Sequence, residues 1–108
     1  MIGERKSEHS RLELEAAANL PEEMRESVRW VRDVETDPEH LKQGWATKLL
    51  ADVCKEADEA KISLMLEPNG YGEMTDQDLM RWYYKHFRFI TVQVKTKDLP
   101  CLMIRAPH

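Results

Sequence analysis

From Trp45 to about Ala60 the apolar positions Ala46, Leu49, Leu50, Val53, Cys54 and Ala57 recur at helical spacing, opposite Lys48, Asp52, Lys55, Glu56 and Glu59. One side of a helix is therefore built to face a core. Directly after it, Ile62-Ser63-Leu64-Met65-Leu66 is a nearly continuous apolar run stopped by Glu67-Pro68-Asn69-Gly70, the pattern of a central strand covered on both sides. Ahead of the helix, Ser27 to Glu35 carries Val28, Trp30, Val31 and Val34. Its apolar parity changes between Trp30 and Val31, which fits either a bulge that moves side chains to the other face or a strand buried on both faces. Strand, helix and strand with short links predict a right-handed βαβ unit, with its first loop at the carboxyl end of the leading strand.

The flanks are less regular. Met1 to Ser10 is charged and without period, as a loose terminus is. Arg11 to Ala18 alternates Leu12 and Leu14 while its alanines and glutamates favour helix; a strand lets it pair antiparallel with the next segment across the acidic link Asn19 to Glu26. Tyr71 to Met74 reads as a flexible loop between Gly70 and Gly72, after which Thr75 caps a helix with Asp78 near N3. Leu79, Trp82, Tyr83 and His86 form one stripe of that helix, and Met80, Tyr84 and Phe87 an adjacent one. Phe89 to Val94 and Leu99 to Ile104 predict a hairpin joined by Lys95-Thr96-Lys97-Asp98, with Pro100 making an irregular start to the last strand. The expected fold class is α/β (α+β): a mixed sheet with a central βαβ unit, a second helix and a C-terminal hairpin, all in one domain spanning 1–108.

Composition narrows the function classes. At 108 residues with 42% hydrophobic and 33% charged positions, the chain has the make-up of a soluble domain with a modest core, and its apolar runs are far short of a membrane span. The charged N-terminus lacks the apolar block of a signal peptide, so a cytoplasmic location is expected. A net charge of −4 argues against nucleic acid as a partner. The run Arg81-Trp82-Tyr83-Tyr84-Lys85-His86-Phe87-Arg88 is the one place where a single strand could stack, but its spacing suits a packed helix. Cys54 and Cys101 stand in separate elements without CxxC spacing, as buried thiols do. His40 and His86 have no ligand spacing and no carboxylate or Cys cluster around them, so no metal is expected.

The candidate chemistry sits in the loop of the βαβ unit, Asp37-Pro38-Glu39-His40-Leu41-Lys42-Gln43-Gly44-Trp45-Ala46-Thr47. Backbone N–H groups are left free where the helix starts, the helix dipole adds positive potential, and Gly44 and Ala46 keep side-chain bulk away. Such a loop binds anions. Pro38-Glu39-x-x-Lys42-Gln43-Gly44-Trp45-Ala46-Thr47 resembles the acyl-CoA pyrophosphate loop of the GNAT superfamily of N-acetyltransferases, Arg/Gln-x-x-Gly-x-Gly/Ala. Gly44-Trp45-Ala46 supplies its second half, while Leu41 stands at its first position and Lys42 where a glycine often follows. Tyr83-Tyr84-Lys85-His86-Phe87-Arg88-Phe89 resembles the family's Phe-Tyr-x-x-x-Gly-Phe, with Arg88 in place of the glycine. A bulged strand splayed from its neighbour to admit the thioester is a further family feature that Ser27 to Glu35 resembles. The two motifs together cover roughly Val28 to Arg105, and the chain looks like a shortened GNAT domain without the usual N-terminal strand and helix pair. Its compact form is reminiscent of small acetyltransferase-like proteins of phages and prophages.

The resemblance implies transfer of an acetyl group from acetyl-CoA, as co-substrate, to a primary amine. By it, amides of Gln43, Gly44, Trp45, Ala46 and Thr47 hold the pyrophosphate, and Lys42 meets a CoA phosphate. Backbone groups of Val34, Glu35 and Thr36 pair with the pantetheine arm and polarise the acetyl oxygen. Tyr84 protonates the leaving thiolate, unless it packs beside Met80 and Phe87 instead. Glu35 and Glu67, both at strand ends near the expected cleft, are the candidate bases, unless the amine arrives already deprotonated or loses its proton through water. A GNAT-like module without catalysis is the alternative, since Leu41 and Arg88 depart from the motifs. A second copy of the chain could cover an exposed sheet edge as a homodimer.

Overall fold

The computed structural model describes residues 1–37, 39, 43–69 and 75–108. Its six strands form one mixed sheet. They are β1 (Gly3–Lys6), β2 (Ser10–Ala16), β3 (Val28–Thr36), β4 (Ser63–Leu66), β5 (Ile90–Gln93) and β6 (Leu102–Arg105), in the order β1-β2-β3-β4-β6-β5. Only the β3–β4 pair is parallel, and it is bridged by helix α2 (Trp45–Ala60). This is the βαβ unit expected from the apolar spacing. A one-turn helix α1 (Glu22–Arg25) lies in the acidic link between β2 and β3, and α3 (Asp76–Phe87) follows β4.

The helices share one face of the sheet. Leu49, Leu50, Val53, Cys54 and Ala57 of α2 and Leu79, Tyr83 and Phe87 of α3 pack with Leu12, Leu14, Val31, Leu64, Leu66 and Met103. On the opposite face a smaller cluster joins Ala17, Val28, Trp30 and Met65, with Leu20, Leu102 and Ile104 beside it. The adjacent buried pair Trp30 and Val31 thus serves both faces, so the parity change marks a doubly covered strand rather than a bulge at that point.

A bulge does exist, further along β3. Arg11 pairs with Glu35 and Glu13 with Arg32, so Asp33 and Val34 together oppose Leu12. Asp33 takes φ 53°, which absorbs the extra residue. The insertion returns Val34 to the helix face, where it packs against the larger cluster three positions after Val31.

Met1 to Ser10 is not loose. Gly3–Lys6 pairs antiparallel with Leu14–Arg11 of β2, and Arg5 donates to both carboxylate oxygens of Glu56 on α2, at 3.0 and 3.4 Å. A strand held by backbone bonds and an ion pair leaves no apolar period to read.

Both helix ends close on non-glycine residues in the left-handed region. Lys61 (φ 60°) stops α2, and Arg88 (φ 64°) stops α3 at the glycine position of the motif. At Arg88, the Arg88 amide donates to the Tyr84 carbonyl and the Phe89 amide to the Tyr83 carbonyl, the bond pair by which a reversed helix end satisfies its carbonyls. Phe89 is fully buried just beyond, so core burial offsets the backbone cost. At the far end of both helices, Arg105 of β6 is buried, donates to the Phe87 carbonyl at 2.8 Å and forks onto both Asp58 oxygens at 2.7 and 3.0 Å.

Candidate functional site

The site forms where β3 ends and α2 begins. Register between β3 and β4 runs from Val28↔Ser63 to Trp30↔Met65 and stops. Glu67-Pro68 follows β4 directly, and a proline has no N–H to continue a ladder. Val31–Thr36 therefore extends past its parallel neighbour among the described residues. The far edge of this extension is fastened to β2: Ser10 Oγ and Thr36 Oγ1 lie 2.7 Å apart, and the Asp37 amide donates to the His9 carbonyl at 2.8 Å.

Opposite, Gly44 holds the N-cap of α2 at φ 84°, ψ 8°, a conformation that costs a residue with a Cβ. A Cβ built there would meet nothing within 4 Å. The Lys48 amide bonds back to the Gly44 carbonyl at 3.0 Å, which starts the helix, while no side chain caps the first turn and no acidic residue stands in it. The amides of Ala46 and Thr47 have no partner among the described residues, and none of those residues places an acidic side chain in the first turn to offset the positive end of the dipole. Gln43 Oε1 accepts from the Trp45 indole at 3.2 Å. The Trp45 ring meets His9 edge-on at 4.6 Å. Lys42 lies outside the described residues, as do Pro38, His40 and Leu41.

The remaining expected residues divide. Tyr84 is 63% exposed and its phenol has no hydrogen-bond partner among the described residues, because Leu79, Tyr83 and Phe87 take the core positions of α3. It does not pack into the core beside Phe87. Arg81, three residues before it on the helix, and Arg88, the residue that ends the helix, are exposed as well. Glu35 accepts from Arg11 Nε at 3.1 Å, and Arg11 also donates to Glu4 at 3.3 Å. Its carboxylate is thus committed to a guanidinium, which counts against the base expected of it. Glu67 is half-buried at the end of β4.

Other chemistries find little support. Cys54 and Cys101 are both buried free thiols, with burial pushing Cys54 up to about 11 and Cys101 upward as well, so neither is a ready nucleophile. Among the described residues no group of three His, Cys, Asp or Glu is arranged to hold a metal, and no helix is long and apolar enough to cross a membrane. A cleft of about 190 Å³ opens beside the site, lined by Lys6 to Arg11 and by Glu35, Thr36 and Asp37. Sequence reasoning gave His9 no role there, since its only link to the site is tertiary.

No protein-family model and no curated sequence matches the chain. Solved structures do. The anti-CRISPR protein AcrVA5 superposes with a TM-score of 0.68 at 15% identity, over 95% of this chain and 96% of that one. N-acetylglutamate synthase from Neisseria gonorrhoeae, complexed with coenzyme A and L-arginine, gives 0.63 at 16% identity over 93% of this chain and 22% of its own. The GNAT-family N-acetyltransferase YhbS from Escherichia coli, in complex with CoA, gives 0.60 at 8% identity over 91% and 51%. The chain therefore spans about half of YhbS and about a fifth of the synthase.

Proposed function

We propose, from the GNAT acetyltransferase fold that this chain has, that it transfers an acetyl group from acetyl-CoA to a primary amine by direct attack on the thioester. The observation that carries the reading is the left-handed Gly44 at the head of α2, where the N-cap residue offers no side chain, together with a β3 strand that outruns its parallel partner among the described residues. Amides of Gln43 through Thr47 receive the pyrophosphate, helped by the Thr47 hydroxyl, and Lys42 meets a CoA phosphate. Backbone groups of Val34, in the bulge, and of Glu35 and Thr36, just past it, pair with the pantetheine arm and polarise the acetyl oxygen. Tyr84, solvent-facing between two arginines, protonates the departing thiolate. The protein acts in the cytoplasm.

Calorimetry with acetyl-CoA and free CoA tests the binding half, and thiol release over a panel of amines tests the transfer half. Gly44→Glu should abolish CoA binding, because a carboxylate would enter the space now open above the rim. A second reading, a CoA-binding module without catalysis, draws on the Tyr84 phenol, which has no hydrogen-bond partner among the described residues, and on Leu41 and Arg88 at motif positions; binding with no thiol release from any amine selects it. Edge strand β5 leaves Ile90 and Val92 exposed, with Val94 exposed just after it, and a second copy covering them would double the mass measured in solution.

A further inference from the structure

Of the two glutamates expected as base, Glu35 has its carboxylate paired with Arg11 at 3.1 Å. The turn between β1 and β2 supplies a better-placed group. His9 is only 20% exposed at its side chain and touches both walls of the site. Its carbonyl accepts from the Asp37 amide at 2.8 Å and its Nδ1 lies 3.3 Å from Asp37 Oδ2, while its ring meets Trp45 at 4.6 Å. Asp37 is the residue after β3, and Trp45 is the first residue of α2. One imidazole thus spans the gap between the strand end and the anion rim, and it lines the cleft of about 190 Å³ that opens there.

We propose that His9 is the general base of the transfer, that Asp37 positions it, and that the acceptor amine enters through the cleft between the β1–β2 turn and the end of β3. The proposal rests on the transferase reading above. An aspartate on Nδ1 fixes the tautomer whose Nε2 accepts a proton, and an imidazole changes charge near neutral pH. The acceptor ammonium gives a proton to Nε2. The neutral nitrogen then forms the N–C bond to the thioester carbonyl, and the C–S bond breaks with its electron pair on sulfur. Tyr84 protonates the sulfur and is reprotonated, through solvent, by the proton that the new amide nitrogen loses; His9 releases its own proton to solvent. Among the described residues, the charged groups around His9 are Glu8, whose Oε1 is 3.8 Å from Nε2, and Asp37, with Lys6, Arg11 and Glu35 also lining the cleft. Among these described residues three carboxylates stand against two cations, which suits a cationic amine.

The test compares wild type, His9→Gln, His9→Gly and Asp37→Asn by CoA affinity and by pH profiles of acetyl-CoA thiol release, with spermidine, a lysine-containing peptide and water as acceptors. His9→Gln should lose about 100-fold or more in kcat/KM while CoA affinity stays within about 3-fold, a margin below half a decade. Its acid limb should vanish, free imidazole should restore part of the rate to His9→Gly, and Asp37→Asn should displace that limb. A rate loss in His9→Gln below about 3-fold with the acid limb kept overturns the assignment and leaves the transferase reading standing. A loss of CoA affinity that matches the loss of rate assigns His9 to holding Trp45 and likewise overturns it. Absence of CoA binding, or of thiol release to every acceptor including water, in the wild-type protein removes the transferase reading and this assignment together.

Discussion

Replacing Asp58 with asparagine tests what holds the two helices behind the site. Asp58 closes the last turn of α2, and its carboxylate receives two bonds from Arg105 and one from the His108 amide at 2.9 Å. Arg105 is 8% exposed at its side chain, Asp58 25%. The Arg105 hydrogen bonds, together with the His108 amide and against an opposing desolvation, hold the Asp58 carboxyl at about 2 instead of its ordinary 3.8. A shift of that size corresponds to about 2.4 kcal/mol at neutral pH, which partial exposure reduces to about 1–2 kcal/mol. The substituted side chain would in addition turn an amide N–H₂ towards one arm of a buried guanidinium, which keeps the Phe87 carbonyl and the remaining amide oxygen, adding about 1 kcal/mol. Asp58→Asn should therefore lose about 2–3 kcal/mol, or roughly 10 °C or more in Tm for a domain of this size.

The pH dependence supplies the sharper assay. The folded carboxyl titrates below the unfolded one, so the unfolded chain binds more protons between these values and the contribution is lost as pH falls. It is fully present above about pH 4, falls to roughly half by pH 3, and disappears below about 2. Urea unfolding of both proteins at pH 7 and pH 3 should show the gap between them narrowing by about 0.5–1 kcal/mol. A gap smaller than about 0.5 kcal/mol at pH 7, or one that is unchanged at pH 3, would refute the ion-pair account.

Other changes probe the site and its scaffold. Gly44→Ala should cost about 1–2 kcal/mol of stability, from the left-handed backbone alone since no protein atom is struck, and should weaken CoA binding in calorimetry; unchanged affinity would separate Gly44 from the ligand. Tyr84→Phe should leave CoA affinity and Tm unmoved, because the phenol is exposed and without a partner among the described residues, yet slow thiol release by about 10-fold or more; normal turnover would strip Tyr84 of the acid role. Thr75→Ala removes the reciprocal cap in which the Asp78 amide donates to the Thr75 hydroxyl and the Thr75 amide to the Asp78 carboxylate, at a cost of about 1 kcal/mol in urea unfolding. Lys61→Gly should raise stability by up to about 1 kcal/mol, by relieving the left-handed end of α2; a loss would show that the lysine side chain contributes more than the backbone strain costs.

The apolar spacing of residues 45–60 was enough, by itself, to set α2 and both its bounds. Val28 to Val34 and Ile62 to Leu66 likewise revealed the parallel pair around it, because a strand or helix that buries a face must repeat its apolar residues at the period of its own backbone. Gly44 was legible for a related reason: a chain that turns into a helix through a left-handed residue needs a glycine there, and that need is local. Backbone pairing and charge carry no such period. Strand β1 is charged along its length and is fixed by β2 and by Glu56, so nothing in its own letters distinguished it from a loose end. The bulge moved from the Trp30–Val31 step to Asp33–Val34, since parity alone does not separate an inserted residue from a strand covered on two sides. The contacts of Glu35 and His9 were hidden for the same cause. Which carboxylate meets a guanidinium, and which imidazole comes to lie between Asp37 and Trp45, depends on residues 24 to 36 positions apart in the chain. Only the closed sheet brings them within reach.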